Sequence, residues 1–338
     1  MTKNTDYDAD TTEFKNQSLV IDNTLESLRI QGSILLRETY AAPWGIRIPN
    51  QSQLAHALNV NDNSRVVAFH MVEFGHCIIK TKDSGVVRLK AGEILICFSG
   101  VAHQLYQGKV RKYYSVESLL AGSANLQQPK TPATTENASL LCGVFILNNT
   151  PFNPLLNALP AILHTGLSRA GELHNLSGVA RLLTEEIDKK APGSQYIAQR
   201  LLEVLCAEAI RSHIEHQPSQ EQNWFQAIKD PVIGKAIAAI HNRPGFNWSV
   251  KSLAEHVAMS PSRFAARFSD CLGDSPIAYI SKWRMNLACQ TLIETKESID
   301  QIAAKAGYEN QAAFSRAFKK HIGISPVAWR SQRTAPKS

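Results

Sequence analysis

The sequence predicts an α+β chain built from three parts: an N-terminal β-barrel, a helical connector and an all-α C-terminal module. Three observations lead to this prediction. Short apolar runs separated by Gly, Asp and Asn turns fill residues 33–118, as in small antiparallel barrels. Helical apolar spacing begins after Pro154. The last third repeats itself at a step of fifty residues, which indicates one supersecondary unit used twice.

These patterns divide the 338 residues into segments. Residues 1–24 are polar and are expected to be frayed, 25–165 form the barrel domain, 166–222 form the helical connector, and 229–333 form the C-terminal module. The N-terminus lacks the basic start and apolar stretch of a signal peptide, and no 18-residue apolar run occurs. We therefore expect a cytoplasmic protein with no membrane partner.

The basic charge is concentrated in one segment. Residues 229–338 contain 16 Lys+Arg and 8 Asp+Glu, whereas residues 1–228 contain 20 and 21, so the net charge of +7 comes from the repeat-bearing third. A generally basic surface would spread its charge evenly along the chain. A basic module beside a neutral one is typical of proteins that bind nucleic acids.

The repeat carries both core and corner residues. Its identical pairs are Phe264 and Phe314, Phe268 and Phe318, Gly273 and Gly323, Ser275 and Ser325, Pro276 and Pro326, and Ala278 and Ala328. Phenylalanines four apart bury one helix face, and Gly-x-Ser-Pro ends one helix and begins the next. The unit therefore predicts a helix-turn-helix used twice. A linking helix over 276–294 would span about 28 Å, close to the ~34 Å helical repeat of DNA.

A block around the second unit carries a family signature: Ile302-Ala303, Gly307-Tyr308, Phe314-Ser315-Arg316-Ala317-Phe318-Lys319-Lys320, Gly323-x-Ser325-Pro326 and Trp329-Arg330. With it, residues 232–332 resemble the DNA-binding region of the AraC/XylS family of transcription regulators. The resemblance implies a double helix-turn-helix domain. It also implies base contacts from Ser262, Ala265 and Ala266 in the first recognition helix, and from Ala312 and Arg316 in the second.

The candidate DNA-binding residues lie near or on the outward faces of the two recognition helices. They are Ser260, Ser262, Arg263, Ala265, Ala266 and Arg267 in the first unit, and Asn310, Gln311, Ala312, Ser315, Arg316, Lys319 and Lys320 in the second. Members of the family often carry a polar or basic residue where this chain has Ala266. We therefore predict that the second unit discriminates more between sequences, with Arg316 bidentate to a guanine, and that the first acts mainly through Arg263 and phosphates.

The barrel also carries residues of a known pattern: Phe69-His70-Met71-Val72 with Gly75, Gly92-Glu93-Ile94-Leu95, Gly100-Val101-Ala102-His103 and Phe152-Asn153-Pro154. They resemble the cupin-like effector domain of one branch of the same family. Cupin enzymes hold a metal with His-x-His, a Glu and a later His, and only His70 and His103 occupy comparable places here. The resemblance therefore implies a sensor and not an enzyme; a cupin-type metal-dependent enzyme carrying a DNA-binding module is the alternative.

A different metal site stays open in the barrel. If Phe74-Gly75 forms a two-residue hairpin turn, His70 and Cys77 become diagonal neighbours on one sheet face. With His103 and Cys142 they would form a nitrogen–sulfur set suited to zinc. Two core histidines and buried thiols are the ordinary alternative. DNA binding itself requires no cofactor.

The expected function is a transcription regulator, an activator, that binds double-stranded DNA and senses a small-molecule effector. RNA polymerase is the expected protein partner. The effector can change DNA binding only if it binds two domain arrangements with different affinity. Residues 174–216 favour either a homodimer interface or burial against the chain's own barrel. A non-specific architectural DNA protein is disfavoured because the recognition helices are paired.

Overall fold

The computed structural model describes residues 5–60, 64–82, 85–124, 126, 137–147, 151–166, 174–216 and 223–334. Residues 217–222, at the predicted end of the connector, lie outside this part. The chain divides into two compact units. The first consists of residues 1–29, 149–158 and 218–338, and the second of residues 30–148 and 159–217. The N-terminal residues and a short internal segment therefore belong with the C-terminal module.

The second unit contains the strands, which are β1 (Ile30–Ala41), β2 (Trp44–Ile48), β3 (Arg65–Phe74), β4 (His76–Thr81), β5 (Val86–Lys90), β6 (Glu93–Cys97), β7 (His103–Gln107), β8 (Tyr114–Ser115), β9 (Asn137–Leu147) and β10 (Leu163–Gly166). They form two five-stranded sheets with the orders β1-β9-β3-β6-β10 and β5-β4-β7-β2-β8. Inward residues of both sheets, such as Ile79, Leu105 and Val144, share one apolar core. The predicted barrel is confirmed.

The helices are α1 (Thr5–Glu26), α2 (Gln51–Ala57), α3 (Val116–Leu120), α4 (Pro154–Ala158), α5 (His174–Lys189), α6 (Ser194–Glu215), α7 (Trp224–Lys229), α8 (Ile233–Asn242), α9 (Val250–His256), α10 (Pro261–Leu272), α11 (Pro276–Glu294), α12 (Ile299–Lys305), α13 (Gln311–Ile322) and α14 (Pro326–Thr334). In the second unit, α5 packs on α6 and α6 packs on β1.

Helix α6 has two different faces. One face is buried against β1, where Leu202 leaves no room for a β-carbon at Gly32. The other face leaves Ile197 and Val204 exposed, at 45% and 44% of their surface. Burial against the chain's own barrel is therefore part of the connector's role, and an apolar stripe remains on the outside.

The expectation of a frayed segment over residues 1–24 is wrong from Thr5 onwards. Helix α1 packs on α8, with Val20 and Thr24 fully buried. The buried amide of Asn153, just before α4, donates to the Thr24 carbonyl oxygen (2.9 Å) and to the Ser27 hydroxyl (2.6 Å). These contacts order the segment because they connect residues far apart in sequence, and a local polar composition carries no sign of them.

The repeat forms two helix-turn-helix units, α9–α10 and α12–α13, and α11 joins them with the predicted bounds. The recognition helices α10 and α13 repeat at a step of fifty, but the helices before them repeat at forty-nine. Ser249 and Ser298 both begin their helices with capping boxes. The turn between α12 and α13 is thus one residue longer than the turn between α9 and α10. The fifty-residue step holds only for the recognition helices and the Gly-x-Ser-Pro segments that follow them.

Candidate nucleic-acid interface

Buried aromatic residues hold the two recognition helices in equivalent positions. The four repeat phenylalanines, Phe264, Phe268, Phe314 and Phe318, are completely buried. Phe268 meets the Tyr279 ring edge-on at 5.7 Å, and its counterpart Phe318 meets Trp329 at 6.1 Å. Since the same ring contact anchors both helices, the opposite faces of α10 and α13 are directed outward.

Nearly all of the predicted DNA-binding residues lie on these outward faces. The exposed ones are Ser260, Ser262, Arg263, Ala266, Arg267, Asn310, Gln311, Ala312, Arg316, Lys319 and Lys320, whereas Ala265 and Ser315 are half-buried. Their contacts with DNA stay predictions. Asn310 also has a local role, because its side-chain oxygen accepts from the Ala313 N–H at 2.8 Å and caps α13. Ser260 caps α10 without using its hydroxyl in this way.

Four of the predicted cations face outward with no hydrogen bond or ion pair to any residue that the structure describes: Arg263, Arg316, Lys319 and Lys320. Other arginines of this unit are held by the backbone. Arg284 donates to the carbonyl oxygens of Pro244 and Phe246, and Arg330 donates to those of Leu292 and Glu297. The outward cations are therefore available to phosphates and base edges, and the inward ones hold helices together.

Arg267 differs from the other predicted cations. Its guanidinium donates to Asp230 Oδ2 at 2.6 Å, and Asp230 Oδ1 accepts from the N–H groups of Val232 and Ile233, both at 2.9 Å. The structure thus gives Arg267 a local partner and a part in holding the start of α8. Asp230 is the residue that sequence reasoning missed, although an Asp followed by Pro231 before a helix is a recognised N-terminal signal.

A buried polar network connects α7, α8 and α11 next to the recognition helix α10. The Tyr279 hydroxyl accepts from Trp224 Nε1 at 3.1 Å and lies 2.8 Å from His241 Nε2. The His241 ring stacks on Trp283 at 4.0 Å between centroids. Burial lowers the pKa of His241 to about 3, so its imidazole is neutral near pH 7.

The barrel brings together only part of the predicted metal set. His70 Nε2 lies 2.7 Å from His103 Nε2, and Cys142 is the cross-strand neighbour of His70. The predicted β3–β4 hairpin is wrong: β3 and β4 lie in different sheets, and Gly75, with φ 74°, leads the chain from one sheet to the other. Cys77 is therefore not a diagonal neighbour of His70.

The strand pairing assumed for the zinc set is therefore wrong, and zinc binding itself stays a prediction. In the described ranges, no three His, Cys, Asp or Glu side chains are placed to hold a metal ion. Burial raises the pKa of Cys77 to about 12, and it raises that of Cys142 as well. Both thiols are therefore neutral near pH 7. In this structure both histidines and both thiols are buried core side chains.

A small cavity lies among the core residues of the barrel. An enclosed apolar cavity of about 20 Å³ lies beside His70 and Cys142. This volume is close to that of a single water site, and pockets for small molecules measure about 300–1,000 Å³. This cavity is therefore too small for a small-molecule effector.

Within the described ranges, every helix is too short or too polar to traverse a lipid bilayer.

Comparison with known proteins supports both domains. A family model described as Cupin matches residues 20–215, and one described as Helix-turn-helix domain matches residues 253–332. The HTH-type transcriptional regulator AlkR of Acinetobacter baylyi is 30% identical over 268 residues, which cover 78% of this chain and 87% of AlkR. A putative AraC-like transcription regulator of Streptomyces lividans is 29% identical over 60% of this chain and 66% of its own length.

A third relative is the RCS-specific HTH-type transcriptional activator RclR of Escherichia coli, 27% identical over 79% of this chain and 85% of RclR. The Cupin match covers more than half of the chain, and the AlkR match covers most of both proteins. The chain therefore belongs to the AraC family of transcriptional regulators, with an N-terminal cupin domain and a C-terminal helix-turn-helix domain for DNA binding.

Proposed function

We propose that this regulator recognises a specific DNA site with α10 and α13, and that an effector bound by its cupin domain changes the affinity for that site. The observation that carries the proposal is the set of outward cations, Arg263, Arg316, Lys319 and Lys320, on two helices anchored in the same way. A linking helix of 19 residues spans about 28 Å. Two recognition helices at such a separation suit successive major grooves on one face of DNA.

The two helices divide the recognition between them. On α13, Arg316 carries the planar fork that pairs with guanine O6 and N7, and Lys319 and Lys320 supply phosphate contacts. On α10, Ala266 donates nothing to a base and contacts at most a thymine methyl. Arg263 is therefore the main cation of α10, and sequence discrimination comes mostly from α13.

We further propose that the protein is an activator and has RNA polymerase as a partner. The name of the relative RclR, a transcriptional activator, supports this assignment. AlkR and the Streptomyces lividans relative are named as regulators, which favours a sensor over the alternative cupin-type enzyme. A cytoplasmic location stays a prediction from the sequence.

The exposed stripe on α6 supports a homodimer. Ile197 and Val204 lie two turns apart on one face, and Tyr196 is 62% exposed beside them. Apolar residues at this spacing are typical of a helix that packs against another helix. A dimer would place two double helix-turn-helix domains on one operator and would lengthen the recognised DNA site.

The decisive experiment is selection of bound DNA from a random pool by the full-length protein, followed by affinity measurements on the selected site and a scrambled site at fixed salt. We expect one enriched motif with two parts about one helical turn apart, roughly 10 base pairs. Enrichment of no motif, with equal affinity for both sites, would contradict sequence-specific recognition and would favour an architectural DNA protein.

A further inference from the structure

A cleft of about 540 Å³ opens at the strand ends of the sheet β5-β4-β7-β2-β8. Three strand ends meet there: Ile48 of β2 and Thr81 of β4 both pair with His103, the first residue of β7. The cleft lies wholly within the second unit. Its size is within the usual range for small-molecule sites.

Strand register places two cations side by side over this cleft. On the outward face of the sheet, Gln104 pairs with Arg47 on one side and with Lys80 on the other. The α-carbons of Arg47 and Lys80 are therefore two strand spacings apart, about 10 Å. Each side chain is about 6 Å long, so both charged ends can reach one group bound above Gln104.

The charges in the cleft are not neutralised by the described residues around them. Arg47, Lys80 and Lys82 line it and are exposed, and none of the three makes an ion pair with a described residue. The Arg47 guanidinium lies over the Tyr113 ring, 5.7 Å from its centre. Glu117 is the acidic residue of the lining. Three cations and one anion leave the cleft with an excess of positive charge.

Several arginines elsewhere in the same unit are paired. Arg37 contacts Glu73 and Asp188, Arg200 contacts Glu203, and Arg211 contacts Glu208. A second cleft, of about 440 Å³, contains Arg37 together with these acidic partners. The second cleft thus contains carboxylates that neutralise its arginine, whereas the first is lined by three cations and Glu117.

The sequence shows the same concentration of charge. Residues 76–115 contain seven Lys+Arg and two Asp+Glu, whereas the other residues before Lys229 contain 13 and 19. An otherwise acidic half of the chain therefore has a local basic excess in the segment that includes β4, β5 and β7. Such a field attracts anions, and a concave site concentrates it.

We propose that this cleft binds a small anion carrying a carboxylate or phosphate group, with Arg47 and Lys80 as its charged ligands and Gln104 and Lys82 as further donors. A small molecule fits better than a polyanion because the cations line a concave site. The apolar cavity beside His70 and Cys142, at about 20 Å³, is too small for such a ligand. The inference rests on the proposed sensor function and names its ligand class and place.

The test uses the full-length protein and calorimetric titration at constant ionic strength with three probes: succinate, citrate and inorganic phosphate. Succinamide is the uncharged control. The variant R47Q/K80Q removes two charges from the cleft. R88Q/K90Q is the matched control, because it removes two exposed charges from β5 of the same sheet. We expect saturable millimolar binding of at least one anion, weakened about tenfold or more in R47Q/K80Q and unchanged in R88Q/K90Q.

The three probes distinguish the source of the ligand's charge, since preference for citrate or succinate indicates a carboxylate and preference for phosphate a phosphate group. No saturable binding by any probe, or equal weakening in both variants, would overturn the proposal. So would a loss of affinity for the selected DNA in R47Q/K80Q without anion binding, which would assign these cations to DNA. If DNA selection succeeded but no anion bound, the proposed DNA recognition would be supported and only the proposed anion site in the cleft would be refuted.

Discussion

Arg267 of α10 donates a hydrogen bond across 2.6 Å to Asp230, whose side chain also accepts from the first N–H groups of α8. Arg267 lies one position beyond Ala266, which is the equivalent of Arg316 in the second unit. The two units therefore use their arginines differently. In the first unit Arg267 is bonded to Asp230 at the start of α8. In the second unit Arg316 has no partner among the described residues and faces outward.

We predict that Arg316→Ala weakens binding to the selected DNA site by about tenfold to a hundredfold, because a bidentate contact to guanine is lost. Arg267→Ala, a matched arginine truncation on the other recognition helix, should weaken it by less than about threefold, since exposed ion pairs contribute little. Fluorescence anisotropy at fixed salt measures both. Equal losses, or an unchanged affinity for R316A, would refute the division of roles.

We predict that the two turns respond in opposite ways to exchange of Ala and Gly. Gly307 has φ 74°, and a β-carbon there would lie 2.5 Å from the Gly245 oxygen, so Gly307→Ala should cost about 1–3 kcal/mol. Ala258 has φ 54° at the equivalent place. Ala258→Gly should relieve about 1–2 kcal/mol of strain and lose about 0.5–1 kcal/mol to the freer unfolded chain. Urea unfolding should show a small gain for A258G; destabilisation by more than that entropic cost would contradict it.

Asn153 should contribute strongly to the first unit's stability. Its amide donates to Thr24 and Ser27, and its oxygen accepts from the N–H groups of Leu155 and Leu156. Asn153→Ala would leave these groups unpaired in a buried place, at a cost of about 2–3 kcal/mol. The exposed Asn157 of α4 supplies the control, as Asn157→Ala should change unfolding by less than about 0.5 kcal/mol. Similar midpoints for the two variants would contradict the assignment.

The stability of the first unit should fall with acidity. The pKa of His241 is about 3 when folded and about 6.5 when unfolded. Protonation therefore favours the unfolded chain. Its effect is absent above pH 6.5 and grows by at most about 1.4 kcal/mol per unit as the pH falls towards 3.

Urea unfolding at pH 7 and pH 5, compared with His241→Gln, measures the contribution of this residue. Glutamine keeps a hydrogen-bonding side chain but does not titrate, so the variant should lose less stability between the two pH values than the native protein. Parallel losses would show that other groups cause the acid sensitivity.

The outer stripe of α6 predicts the oligomeric state. Replacing both Ile197 and Val204 with glutamate should convert the dimer to a monomer, because the apolar contact would then have to bury two charges. Gln199→Glu, on the same helix, is the control for added charge. Light scattering after size exclusion measures the mass. A native protein that is monomeric at high micromolar concentration would contradict the proposed dimer.

Much of the DNA-binding module could be predicted because its signals are local. Ser249 and Ser298 cap helices by contacts three residues away, and the bounds of α11 follow from Ser275-Pro276 and the end of an apolar pattern. The barrel strands were also predicted, but not their partners. The predicted hairpin at Gly75 failed because strand pairing joins residues distant in sequence, as with His70 and Cys142.

The amino-acid sequence by itself determined the fold class, the double helix-turn-helix and the outward placement of Arg316, since periodicity, caps and repeats act within a few residues of one another. Only the tertiary structure decided which cations are available and where the first residues of the chain belong. Arg267 is paired with Asp230, 37 residues away, and strand register places Arg47 and Lys80 on either side of Gln104. Packing sets these relationships, because side chains far apart in the chain share one place only after folding.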